Sequence, residues 1–94
     1  MKQIINRKEY DTDKAQAVAS NRFWDGSNWE RSGRNTYLYK TPKGNFFAYH
    51  TTQWQGERNT IEALTVDEAK TLYEELPEHD MTYAEAFGEE PEKA

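Results

Sequence analysis

The chain has no cysteine, which excludes disulfide frameworks, thiolate zinc sites and a cysteine nucleophile. It has no run of about 18 apolar residues, so nothing in it reads as a membrane-spanning helix. The opening Met1-Lys2-Gln3-Ile4-Ile5-Asn6-Arg7 turns polar too early for a secretory signal, so the cytoplasm is the expected compartment. Only two histidines are present, His50 and His79, and neither sits in a metal-ligand spacing. Glycine is too sparse for a phosphate-cradling loop, since Gly26 and Gly33 match neither a GxGxxG nor a Walker pattern. The carboxylates cluster where nothing shields them, which leaves no evident acid–base pair. Glu74, Glu75, Glu78 and Asp80 could supply oxygen ligands, but the alternating calcium-loop pattern is missing. A non-enzymatic protein without metal or cofactor is expected.

What the chain does have is aromatic mass and a charge gradient. Its 94 residues suit one domain, and with 35% hydrophobic and 31% charged residues the core must be compact. Four Phe, six Tyr and three Trp can anchor such a core, because each buries more area than an aliphatic side chain. Net charge is −5 overall, yet residues 1–60 carry +4 and residues 61–94 carry −9. A polyanionic end suits a basic partner, and equally suits a solvated helix with an acidic tail that serves solubility.

Local signals outline an α+β fold. Residues 2–5 and 8–10 flank Asn6-Arg7 as a short strand or hairpin. Asp11 and Thr12 are candidate N-caps for a helix over about 13–20, with Ala15, Val18 and Ala19 as a thin apolar stripe. Residues 20–35 lack any sustained period and read as a long loop. Tyr37–Lys40 and Asn45–His50 flank Thr41-Pro42-Lys43-Gly44, where Pro42 presets φ and Gly44 can take the positive φ that closes a hairpin. A third strand is expected near 59–64. Thr65-Val66-Asp67-Glu68 is a capping box opening a helix through Ala69, Leu72, Tyr73 and Leu76, which Pro77 ends. Thr82-Tyr83-Ala84-Glu85 repeats the box before a short helix ending at Gly88. The expectation is a small antiparallel sheet of about three to four strands with an N-terminal helix, a longer C-terminal helix and a short final helix. One domain would span 1–88, with a disordered acidic tail over 89–94.

Two surfaces are candidates for binding. The first is acidic: Glu68, Glu74, Glu75, Glu78, Asp80 and Glu85 could imitate nucleic-acid phosphates toward a basic groove. The second is the loop 22–34, where Phe23, Trp24 and Trp29 stand beside Arg22, Arg31 and Arg34, a composition found at interface hot spots. Trp24 and Trp29 could equally roof the core, and Trp54 reads as core. Direct nucleic-acid binding is not expected of a chain with net charge −5.

Three stretches also carry a resemblance: Lys2-x-Ile4-Ile5-Asn6-x-Lys8-x-Tyr10-Asp11-Thr12, Thr36-x-Leu38-Tyr39-x-Thr41-x-x-Gly44-x-Phe46-Phe47, and Ile61-x-x-Leu64-Thr65-x-x-Glu68-Ala69. Their layout, over residues 2–76, resembles small proteins carried by phages and mobile elements, some of which are similar to anti-CRISPR proteins. The 20–35 loop departs from that layout, and the resemblance brings no catalytic residues. It implies a stoichiometric inhibitor of a bacterial defence complex, with a Cas nuclease or effector complex as protein partner. The alternative is a regulatory or structural module that binds a host protein through loop 22–34.

Overall fold

The computed structural model of the protein describes residues 1–21, 34–52, 56 and 58–91. Among these, no helix is long and apolar enough to cross a membrane. The chain opens with a hairpin of β1 (Lys2–Ile5) and β2 (Lys8–Asp11) in the register Ile5↔Lys8 to Lys2↔Asp11. Its two turn residues, Asn6 and Arg7, have φ of 52° and 66°, the pattern of a type I′ turn whose twist matches the strands. Asn tolerates that region, whereas Arg there costs about 1–2 kcal/mol. The open end is latched by Thr12 N donating to the Met1 carbonyl at 2.9 Å.

The expected helix over 13–20 does not form. Asp11 does behave as a capping residue: its Oδ1 accepts from Asp13 N at 2.9 Å, and its carbonyl accepts from Lys14 N and Ala15 N at 3.2 and 3.1 Å. The turn stops there, and the chain extends into β3 (Gln16–Ser20). Eight residues with a thin alanine stripe gain too little to offset helix nucleation. As a strand the same segment is hydrogen-bonded on both sides, to β4 and β7. The register steps from Ala17↔Tyr39 to Ala19↔Leu38, leaving Val18 as the extra residue of a bulge. That bulge breaks the alternation and buries Val18, Ala19 and Ser20 in succession.

β4 (Arg34–Lys40) and β5 (Phe46–Thr52) form the expected hairpin. Gly44 has φ of 88°, Gly44 N reaches the Thr41 carbonyl at 2.9 Å, and Asn45 N reaches Thr41 Oγ1 at 3.0 Å. β6 (Thr60–Leu64) follows, then α1 (Val66–Glu75), the two-residue β7 (Glu78–His79) and α2 (Tyr83–Phe87). The main sheet runs β6-β5-β4-β3-β7, every pair antiparallel. The described architecture is therefore mostly sheet, seven strands in two antiparallel sheets with two short helices, rather than the helix-rich α+β arrangement expected.

Alternation divides the sheet into two faces. Leu38 and Phe46 join Val18 and Ala19 beneath Ala69, Tyr73 and Leu76 of the α1 layer and Ala86 of α2. Phe47 and Ile61 point the other way, where Tyr10 of the β1–β2 hairpin covers them, flanked by Ile5, Ala15, Tyr39 and Tyr49. Tyr10 meets Phe47 edge-on at 5.5 Å, while Tyr39 stacks on Phe47 at 5.3 Å. Hairpin, sheet and helices thus form three layers with two small cores.

Candidate functional site

The helix α1 is positioned by its first turn. Thr65 Oγ1 accepts from Glu68 N at 3.1 Å, and Glu68 Oε1 accepts from Thr65 N at 2.8 Å, so the expected capping box is complete. With Ala69, Tyr73 and Leu76 turned inward, the 100° step per residue sends Asp67, Thr71 and Glu74 outward and places Glu68 and Glu75 on the flank beside Leu72. The opposite flank carries Lys70, which pairs with Glu89 and lies 5.9 Å from the ring centroids of both Tyr83 and Phe87. Its hydrogen bond to Glu89 holds the Lys70 ammonium above its ordinary range.

Between the Glu68–Glu75 flank and strands β5 and β6 runs a groove of about 370 Å³. Its floor is apolar, made by Ala48, Leu64 and Leu72, and its rim carries Glu62, Asp67, Glu68 and Glu75 with no lysine or arginine in the lining. The arrangement offers a concave apolar surface ringed by acceptors, suited to a basic or amphipathic side chain with an aliphatic stem.

One end of the groove is tied by a row of side chains across three strands. Thr36 Oγ1 lies 3.2 Å from His50 Nδ1, and His50 Nε2 lies 3.2 Å from Glu62 Oε1. A neutral ring carrying its proton on Nε2 satisfies both partners, donating to Glu62 and accepting from the Thr36 hydroxyl. The His50 and Glu62 side chains are 40% and 61% exposed, so water reaches both and the row serves to hold Glu62 at the rim. Among the described residues no group of three or more His, Asp or Glu side chains could hold a metal ion.

The acids singled out from the sequence fall on different elements. Glu74 and Glu75 are exposed on α1, and only Glu75 of the two lines the groove. Glu78 sits on β7 at the far edge of the sheet, opposite Ser20 of β3, and Asp80 follows it, its N–H bonded to the Val18 carbonyl at 2.8 Å. Glu85 is engaged in the α2 capping box, its Oε1 accepting from Thr82 N at 3.0 Å. Those Thr82 hydrogen bonds hold its carboxyl below the ordinary value. Trp24, Trp29 and Arg31 of the aromatic loop, and Trp54, lie outside the described residues. Glu62, Asp67 and His50 were not among the sequence candidates. Strand alternation could have found Glu62, since it follows the inward Ile61 and must share a face with Leu64.

Scans of family models, of curated proteins and of solved structures find no match to this chain.

Proposed function

We propose that the protein acts by stoichiometric binding, its acidic α1 groove docking on a basic surface of a protein partner and blocking it by bulk and charge. The resemblance to phage and mobile-element proteins points to the partner: a nucleic-acid-handling complex of bacterial defence, of the Cas nuclease or effector kind, met in the bacterial cytoplasm. The observation that carries this reading is the groove itself, where four carboxylates surround an apolar floor with no lysine or arginine in the lining. The −9 net charge of residues 61–94 supports it, since a negative surface steers encounter with a positive one. Glu68, Glu75 and Asp67 are the contact residues on α1, Glu62 on β6, with Glu74 on the outer surface of the same helix.

The test is DNA binding by purified Cas effector complexes of several types, titrated with the protein at low and high salt. Near-equimolar loss of DNA binding by at least one complex is expected, weakening as ionic strength rises. The pair Asp67→Lys and Glu75→Lys should lower the inhibitory affinity far more than Glu74→Lys alone. If no complex loses DNA binding at a molar excess of the protein, the partner is of another kind. If both variants inhibit equally, the groove is not the contact surface.

A further inference from the structure

A second cavity, of about 420 Å³, lies on the opposite layer, between the β1–β2 hairpin and the β4–β5 turn. Four cations line it: Arg7 from the type I′ turn, Lys8 from the start of β2, Lys14 from the single turn after Asp11, and Lys43 from the β4–β5 turn. Arg7 and Lys8 are adjacent, but Lys14 and Lys43 come from elsewhere in the sequence. The packing of Tyr10 on Phe47, which seats the hairpin on the sheet, brings them to one cavity. None of the four side chains has an ion pair or hydrogen bond among the described residues. Glu9 and Asp11 also line the cavity, and an Asp11 carboxylate oxygen is already occupied by Asp13 N. The lining therefore holds an excess of two positive charges, close to the −1.5 to −2 of a phosphate monoester at neutral pH.

Two further details fit an anion. Thr41 and Asn45 stand in the lining, and Thr41 Oγ1, which accepts from Asn45 N at 3.0 Å, keeps its own proton to donate. Arg7 occupies a left-handed position that Gly or Asn would fill with less strain, and strained residues of this kind persist where the side chain has a use. We infer that this cavity binds a small phosphate-bearing ligand, with Arg7, Lys14 and Lys43 converging on the phosphate. Its volume falls in the range of small-molecule sites. A nucleic-acid strand fits less well, because the acidic half of the chain repels a polyanion beyond the cavity mouth. The assignment is independent of the α1 groove.

The experiment is an amide-resonance titration of the intact protein with inorganic pyrophosphate, adenosine monophosphate and a single-stranded oligothymidylate. Saturable shifts confined to residues 7–14 and 41–45 are expected with the two small probes. Arg7→Gly removes a charge while suiting the turn, so it tests binding without threatening the fold. Arg7→Gly and Lys43→Ser should each weaken pyrophosphate by about tenfold or more, the scale of one charge-assisted hydrogen bond, and Lys2→Ser outside the cavity should not. Failure of both small probes to saturate by about 10 mM, a weaker limit than any specific site, overturns the inference. So does unchanged binding in Arg7→Gly and Lys43→Ser, or binding of the oligonucleotide alone.

Discussion

His79 donates from Nε2 to the Tyr73 carbonyl at 2.8 Å while its ring lies on the Tyr73 ring, centroids 4.0 Å apart and 13° from parallel. In a continuing helix the Tyr73 carbonyl would accept from the N–H four residues on, but that residue is Pro77, which has none. The imidazole replaces the missing donor and ties β7 back onto the end of α1. The Tyr73 hydroxyl completes the tie by donating to the Met81 carbonyl at 2.8 Å.

His79→Ala should therefore destabilise the protein by about 1–2 kcal/mol, one stacked pair and one hydrogen bond, although the residue is exposed. His79→Gln restores a donor but not the stack, so it should recover only part of that loss. Chemical denaturation of the three proteins measures both, and hydrogen exchange at residues 78–81 should rise first.

Arg7→Gly should stabilise. The left-handed strain of about 1 kcal/mol is relieved, partly offset by the greater freedom of glycine in the unfolded chain. A rise in melting temperature of a few degrees is the expected reading. A fall would mean that the Arg7 side chain holds the hairpin by contacts of its own.

Gly44→Val should cost at least about 1 kcal/mol, and the cause can be separated from crowding. A Cβ at Gly44 would meet nothing within 4 Å, so the penalty comes from the φ of 88° alone. Gly44→Asn fills the same open space but tolerates that φ, so it should cost clearly less than valine. Equal losses in the two variants would place the cost elsewhere.

Glu85 makes stability depend on acid. Its folded carboxyl sits below the ordinary value of 4.5 because Thr82 donates to it, so its contribution is present above that value and is lost as pH falls through the lower, folded one. Glu85→Gln should flatten this acidic limb by lowering stability at neutral pH, while leaving it little changed at the acid end, where the native carboxyl is protonated as well. Thermal melts of the two proteins across the acidic range compare them directly.

Elements whose cause is local were legible in the sequence. The Thr65 and Thr82 capping boxes, the Gly44 turn and the Pro77 stop each work through neighbours a few residues away. The segment 13–20 was misread because its local signal is genuine but brief. Asp11 does cap one turn, and only the distant β4 and β7 ladders decide that the next residues extend. β7 left no trace in the sequence, since two residues make no period and its pairing depends on the bulge at Val18. Of the groove, Glu68 and Glu75 were visible as acids of the helix that Thr65 caps. Glu62 and His50 were not, because their meeting requires three strands in register.

The two borders of the main sheet are unequal. β7 offers two residues, while β6 offers five with a single ladder partner among the described strands. Among the described residues that border has no second ladder partner, and an unpaired border of that length is a template for another copy of itself. Symmetric antiparallel pairing of Thr60–Leu64 with its twin would place Glu62, the central residue, directly against the Glu62 of the other molecule. Two like charges face to face penalise that pairing. The carboxylate that rims the groove thus opposes that pairing: Glu62→Val, or enough acid to neutralise the residue, should raise the share of edge-to-edge dimers as concentration rises.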